Sequence, residues 1–259
     1  MANAEMAENY TVIIPARFAS ERLPGKPLRD IAGRPLIQRT FESAAQSRAS
    51  KIVVATDDEG IAQTVRRFGG EACMTAVTHQ CGTDRVAEAA QILQLADSEI
   101  VVNVQGDEPD MPGELVDQVA GLLSQDSAAK AATACCALDN PQQYSDPSVV
   151  KVVTDAHGHA IYFSRAAVPH TRESSEGPPD RVPWRSVRRH IGIYAYRCDY
   201  LQVLAQTPPC DLETTEGLEQ LRVLWMGDKI AVSEAGRAPG PGIDTVADLE
   251  RAIRDFSSD

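Results

Sequence analysis

Residues 11–27 read TVIIPARFASERLPGKP. An apolar, β-branched run from Thr11 to Pro15 breaks directly into a loop carrying three cations, Arg17, Arg22 and Lys26. Two runs of the same kind follow, KIVVAT at 51–56 and EIVVNVQ at 99–105. Runs that are apolar at consecutive positions suit strands covered on both faces, as in a parallel sheet, better than one-sided hairpins. Between them the spacing predicts helices. Pro35 can take the first helical position ahead of Leu36, Ile37, Thr40, Phe41 and Ala44. Asp57 or Asp58 can cap a helix with Ile61, Val65 and Phe68. Val86, Ala90 and Leu93 mark a third, and Pro112 opens a fourth that turns Leu115, Val119, Leu122 and Leu123 inward. This alternation predicts crossover units and an open α/β sheet.

The second half reads differently. Residues 131–137, 149–154, 160–164, 190–196 and 229–234 are predicted strands, several joined by turns. Asp155-Ala156-His157-Gly158 suits a hairpin loop and an antiparallel appendage. A helix is expected from Thr215 to Met226, and a last one behind a Thr245…Asp248 capping box. Residues 173–183, ESSEGPPDRVP, are predicted to form an exposed, mobile loop, and residues 1–9 an N-terminal extension. No linker or repeat divides the chain, so a single domain over 1–259 is expected.

The 259 residues carry 25 Lys and Arg against 37 Asp and Glu, a net charge of −12. That sign argues against non-specific nucleic-acid binding, which needs a basic face, but leaves room for a locally basic pocket. Hydrophobic content of 43% and charged content of 24% exclude wholesale disorder. No apolar run approaches the roughly 18 residues of a membrane span, and MANAEMAENYTVII lacks the basic and apolar regions of an export signal. The six cysteines form no CxxC pair, which predicts reduced thiols in a cytoplasmic protein; Cys135-Cys136 lies in an apolar strand and reads as packing.

Ligands of open α/β sheets bind outside the carboxyl ends of the strands, where Pro15 to Pro27 is predicted to lie. Its Arg forks, Lys charge and backbone N–H groups suit a polyphosphate; the alternative is an ordinary basic connection with a Pro-Gly turn. It is neither a Walker A loop nor a GxGxxG fingerprint. Asn103-Val104-Gln105-Gly106-Asp107-Glu108-Pro109 places a carboxylate where it can hold a hard cation, or simply terminates a strand. Asp244, in Gly240-Pro241-Gly242-Ile243-Asp244-Thr245, is a partner carboxylate or part of the last helix's cap. In His79-Gln80-Cys81-Gly82-Thr83-Asp84-Arg85, Gly82 permits close approach of a ligand and Thr83 can cap a helix. Arg165, His190 and Tyr194 lie on or beside predicted strands, where such His and Tyr groups are commonly satisfied core residues. Leu218, Leu221 and Trp225 are core or subunit interface. No Gly-x-Ser-x-Gly, His-Glu-x-x-His or protein-kinase signature is present.

Taken together these segments resemble the 3-deoxy-manno-octulosonate cytidylyltransferases, or CMP-Kdo synthetases. The resemblance rests on IIPARFASERLPGKPL (13–28), the Asp30–Pro35 turn, VATD (54–57), HQCGTDR (79–85) and NVQGDEP (103–109). It continues through VKVV (150–153), YFSRA (162–166), RHIGIYAY (189–196), LEQLRVLW (218–225) and PGPGIDTVADLE (239–250). It implies a glycosyltransferase-A-like nucleotidyltransferase, a mostly parallel mixed sheet flanked by helices with a small antiparallel appendage, working as a cytoplasmic homodimer without nucleic-acid or membrane partners. The implied reaction is transfer of CMP from CTP to the sugar acid Kdo with release of pyrophosphate, for lipopolysaccharide synthesis. It would proceed by Mg²⁺-dependent in-line attack of the anomeric hydroxyl on the α-phosphate. By the same likeness Arg17 and Lys26 hold the triphosphate, Pro15, Ala16, Cys81, Arg85 and Gln105 line the cytidine site, and Asp107 and Asp244 bind Mg²⁺. Arg165, His190, Tyr194, Glu219 and Gln220 would surround the sugar acid. Cys81 stands where serine is expected. Activation of sialic acid or of an 8-amino analogue, and a non-catalytic nucleotide-binding regulator, are the alternatives; the joint presence of Lys26, Asp107 and Asp244 disfavours the last.

Overall fold

In the computed structural model, which describes residues 9–19, 22–79, 81–170 and 187–257, the opening apolar run is strand β1 (Tyr10–Ala16). A small hairpin, β2 (Asp30–Ile31) and β3 (Arg34–Pro35), leads into α1 (Leu36–Ala44). Then come β4 (Lys51–Thr56), α2 (Glu59–Arg67), β5 (Glu71–Met74), α3 (Gly82–Ile92), β6 (Ile100–Asn103) and α4 (Gly113–Gln125). The three expected strands and four expected helices of this half are present; β5 and the hairpin are additional. Of the two capping candidates, Asp58 accepts the Ile61 N–H at 2.8 Å. Strand β6 is shorter than 99–105 because the chain turns at once, Glu108 N–H donating to Gln105 O at 3.1 Å.

The second half comprises β7 (Ala129–Ala137), α5 (Gln142–Ser145), β8 (Lys151–Thr154), β9 (Ala160–Ser164) and β10 (Arg188–Arg197). It closes with α6 (Cys198–Gln206), α7 (Asp211–Glu216), α8 (Leu221–Trp225), β11 (Lys229–Glu234) and α9 (Val246–Ser257). The helix expected from Thr215 to Met226 is two pieces. Gly217, at φ +63°, caps α7 in the left-handed region that favours glycine. Buried Arg222 then turns α8 back, pairing with buried Glu213 and donating to the Leu204 and Thr207 carbonyls. Leu218 and Leu221 are buried, whereas Trp225 is exposed. The capping box of α9 is formed: Thr245 N–H donates to Asp248 Oδ2 at 2.9 Å, and Asp248 N–H to Thr245 Oγ1 at 3.2 Å. The 173–183 segment and residues 1–8 lie outside the described residues.

The main sheet has nine strands, in the order β11-β7-β10-β6-β1-β4-β5, with β8 paired to β10 and β9 to β8. Strands β6, β1, β4 and β5 are mutually parallel, and β11 is parallel to β7; β10 runs antiparallel to β6, β7 and β8. Strands β8 and β9 form the antiparallel appendage across the Asp155–Gly158 turn. Side-chain alternation explains the consecutive apolar runs. Tyr10, Val12, Ile14 and Ala16 of β1 enter one apolar layer with α1, α2 and α4, while Ile13 enters the other with α3, α6 and α8. Both faces are thus covered, and the parallel strands can bind a ligand only beyond their carboxyl ends. Among the described residues, no helix is long and apolar enough to cross a membrane.

Candidate active site

A cavity of about 970 Å³ opens at that end of the sheet. Its wall contains Arg17, Arg22, Lys26, Arg85 and Arg165 against the carboxylates Asp107, Glu219 and Asp244. A chain of net charge −12 therefore holds a cationic pocket suited to an anion.

Its floor is built where β1 and β6 leave the sheet side by side. A Cβ on Gly106 would lie 2.7 Å from Pro15 O, so only glycine allows the β6 exit to pass so close to β1. Beyond it, Asp107 O accepts the Ile243 N–H at 2.9 Å, which fastens the Asp244 turn to the Asp107 turn. Lys26, on the 3-10 turn Lys26–Leu28, reaches between them. Its Nζ lies 2.7 Å from Asp107 Oδ2 and 2.9 Å from Asp244 Oδ1, so those oxygens can be no farther apart than the sum of the two lengths. Burial alone would lower the Lys26 pKa, but the two carboxylates outweigh it and the net shift is upward. Arg22 adds an ion pair to Asp244 at 3.1 Å. Arg17 is exposed in the wall and pairs with no carboxylate among the described residues. Next to Asp107, burial and that neighbouring charge push the Glu108 carboxyl up to about 8.

The opposite wall is the start of α3. Cys81 is its N-cap, the thiol sulfur accepting the Asp84 N–H at 3.5 Å, so the weaker acceptor still performs the cap. Burial drives its thiol pKa far upward and leaves it protonated. Thr83 does not cap; its hydroxyl donates to Glu219 Oε2 at 2.7 Å and ties α3 to the segment between α7 and α8. Arg85 is 2% exposed, bound to Asp57 Oδ2 at 2.7 Å and Thr75 Oγ1 at 2.6 Å. Gln105 donates to Asn103 Oδ1 at 3.2 Å and lines the cavity with Pro15, Ala16 and Cys81. His79, also in the wall, is held by Glu88 Oε2 at 2.5 Å.

Of the residues expected around a sugar acid, Arg165 and Glu219 line the cavity; His190, Tyr194 and Gln220 do not. His190 Nε2 lies 2.8 Å from Tyr194 OH and 3.1 Å from Thr133 Oγ1, with its ring edge-on to Phe163. Burial pushes the imidazole down to about 3 and the Tyr194 phenol well up, so both are neutral. A β10 bulge between Ile191 and Tyr194 sets this cluster, with Thr133 Oγ1 donating to the Ile193 carbonyl at 2.7 Å. Gln220 is 6% exposed and its Nε2 has no hydrogen-bond partner among the described residues. The wall residues that sequence reasoning did not single out are Ala19 and Gly217, and the partnership of Asp57 with Arg85 was not legible either. The signal for Asp57 was its place at the carboxyl end of β4.

The cytidylyltransferase family profile matches residues 11–230. A 3-deoxy-manno-octulosonate cytidylyltransferase of Pseudomonas fluorescens is 50% identical over 253 residues, 96% of this chain and 98% of its own. One of the same name from Idiomarina loihiensis is 49% identical over 245 residues, 94% of this chain and 97% of the other. Among solved structures, a CMP:2-keto-3-deoxy-manno-octonic acid synthetase complexed with CTP matches with a TM-score of 0.86 at 40% identity, over 97% of this chain and 99% of that one.

Proposed function

The chain belongs to the cytidylyltransferase family, and from that premise we propose that it transfers CMP from CTP to 3-deoxy-manno-octulosonate, releasing pyrophosphate. The observation that carries this reading is the convergence of Asp107 and Asp244 on Lys26 Nζ, at 2.7 and 2.9 Å, on the floor of a cationic cavity. The names of full-length relatives at 50% and 49% identity supply the sugar.

In this reading the anomeric hydroxyl of Kdo attacks the α-phosphorus in line. Its oxygen forms the new O–P bond, the α–β bridging bond breaks, pyrophosphate departs and the hydroxyl proton passes to solvent. Such chemistry asks chiefly for positioning and charge neutralisation. Arg17 and Lys26 neutralise the triphosphate and the departing pyrophosphate. Pro15, Ala16, Cys81, Arg85 and Gln105 enclose the cytidine, Arg85 being fixed in place by Asp57. Arg165, whose planar fork suits a carboxylate, takes the acid group of the sugar. Glu219 faces the sugar hydroxyls, with His190, Tyr194 and Gln220 packed next to that wall.

Mg²⁺ fits the Asp107–Asp244 pair. Two carboxylates already share one cation, the Lys26 ammonium, and no third His, Cys, Asp or Glu joins them among the described residues. That is the donor set of a Mg²⁺ that takes its other ligands from phosphate and water. Held there, the ion supplies charge stabilisation at the phosphoryl oxygens.

We place the reaction in the cytoplasm, in the service of lipopolysaccharide synthesis, and read the protein as a homodimer. Support for the dimer lies in Trp225 and Ile161, 60% and 59% exposed on the adjoining elements α8 and β9; sedimentation should return twice the chain mass. The deciding experiment is incubation with CTP, Mg²⁺ and Kdo, with CMP-Kdo detected by mass. Parallel reactions with sialic acid and an 8-amino analogue should run far more slowly. Tight CTP binding without product from any sugar acid would instead make the protein a nucleotide-binding regulator.

A further inference from the structure

Lys151 opens β8 with no solvent exposure. Among the described residues no carboxylate pairs with it. Its Nζ instead donates to three backbone carbonyls, those of Asp146 at 2.9 Å, Val149 at 2.6 Å and Arg165 at 2.7 Å. Burial draws its pKa down. An ammonium withdrawn from water with the Asp146 and Glu216 carboxylates near but not in contact is costly, and a methionine would fill much the same space. The charged group therefore needs a reason other than packing.

That reason is visible in what the three carbonyls belong to. Lys151 joins the segment before β8 to the backbone of Arg165, and Arg165 returns the connection, its Nη1 donating to Pro147 O at 3.1 Å within the same segment. Glu216, at the end of α7, grips the other side. Its carboxylate accepts from Ser164 Oγ at 2.6 Å and from Arg165 N–H at 2.9 Å. The Glu216 and Gly217 carbonyls accept from Arg165 Nε at 2.7 Å and Nη2 at 3.4 Å. A guanidinium has five N–H donors. Three are engaged by neutral carbonyls, so one remains on each terminal nitrogen, and Arg165 lines the cavity. The carbonyls fix the group without neutralising its charge.

We propose that Lys151 and Glu216 are positioning residues, a two-sided clamp that holds Arg165 so that its two remaining N–H donors receive the carboxylate of the sugar acid. The inference rests on reading this cavity as the sugar-acid site. Neither residue touches substrate; each acts through Arg165, and fixing the fork in advance spares the ordering that binding would otherwise require.

Steady-state kinetics test this with Lys151→Met and Glu216→Gln. Each should raise KM for Kdo about tenfold, equivalent to about 1.4 kcal/mol, while KM for CTP stays within about twofold and kcat within about threefold. Because both act through Arg165, neither should add to the KM rise of Arg165→Ala when combined with it. If Lys151→Met does not fold, Glu216→Gln and its combination with Arg165→Ala decide the matter. Unchanged KM for Kdo in the folded single variants overturns the clamp, as does a parallel rise of both KM values, or full additivity with Arg165→Ala. A wild-type protein that forms no CMP-Kdo overturns the functional reading itself and the clamp with it.

Discussion

The two sides of the cavity hold their cations in opposite ways. On the parallel side Lys26 is neutralised twice, by Asp107 and Asp244, and Arg85 is paired with Asp57. On the antiparallel side Arg165 is bound by the carbonyls of Pro147, Glu216 and Gly217, which orient it and leave its charge in place. A carboxylate partner has to be exchanged if, as proposed, a triphosphate and its metal bind there, whereas a carbonyl partner can stay. Under the proposed function, the parallel side is therefore a store of ion pairs that ligands redistribute, and the antiparallel side is a preformed fork.

The largest effect expected from this contrast is at Asp107. Asp107→Asn keeps the shape and hydrogen-bonding reach but removes one of the two charges that define the floor. Turnover should fall at least about a thousandfold, roughly 4 kcal/mol, measured as pyrophosphate release, with the melting temperature little changed. Activity near that of the wild type would remove the metal role and half of the contrast. Lys26→Met comes next. It should lower kcat/KM for CTP by about a hundredfold, the scale of a lost charge-assisted contact to phosphate, and leave KM for Kdo nearly unchanged. Calorimetry should also find Mg²⁺ binding tighter in this variant without nucleotide, because the two carboxylates have lost their resident cation. Weaker Mg²⁺ binding would mean that Lys26 helps to build the site rather than competing for it.

Arg165→Ala bears on the other side. Loss of a bidentate carboxylate contact should raise KM for Kdo about 10- to 100-fold, with KM for CTP unaltered. Arg165→Lys should recover little, since a point charge cannot replace the fork. A rise in the CTP constant of similar size would show the two sides to be one coupled network.

The same contrast governed what could be read from sequence. Strands β1, β4 and β6 were legible because burial on both faces writes a continuous apolar run, and their ends were legible because cations and acids stand out beside such runs. Asp107 and Asp244 could be nominated for one site, but the backbone bond from Ile243 to Asp107 O that joins their turns leaves no trace in residue type. On the antiparallel side the decisive features are backbone events. His190 and Tyr194 flank the β10 bulge and lie off the cavity wall, the left-handed Gly217 divides an apparently continuous helix, and Lys151 is bound to carbonyls that every residue possesses. A periodicity reports which face is buried; it does not report which carbonyl a buried donor will find.

The smallest effect expected concerns stability. His190 sits between Thr133 and Tyr194 with its pKa lowered to about 3 by burial, against about 6.5 for an unfolded histidine. Between those values the unfolded chain binds a proton that the folded one does not, so stability is lost as pH falls through about 6.5 and towards 3. From pH 6.5 to 5.5 the loss from this group should be about 1 kcal/mol, or about 2–4 °C in melting temperature. His190→Gln retains a side chain that can meet both hydroxyls but does not titrate, and should remove that loss; Glu108, whose carboxyl is raised to about 8, gains stability over the same range and does so in wild type and variant alike. Asp126 and Asp248, whose carboxyls are held below their usual range, act in the same direction as His190 only at lower pH, where those carboxylates protonate. The difference between wild type and variant near pH 6 therefore isolates the histidine. Parallel melting profiles would mean that His190 takes up its proton in the folded protein, and that the antiparallel side, like the parallel one, can store charge.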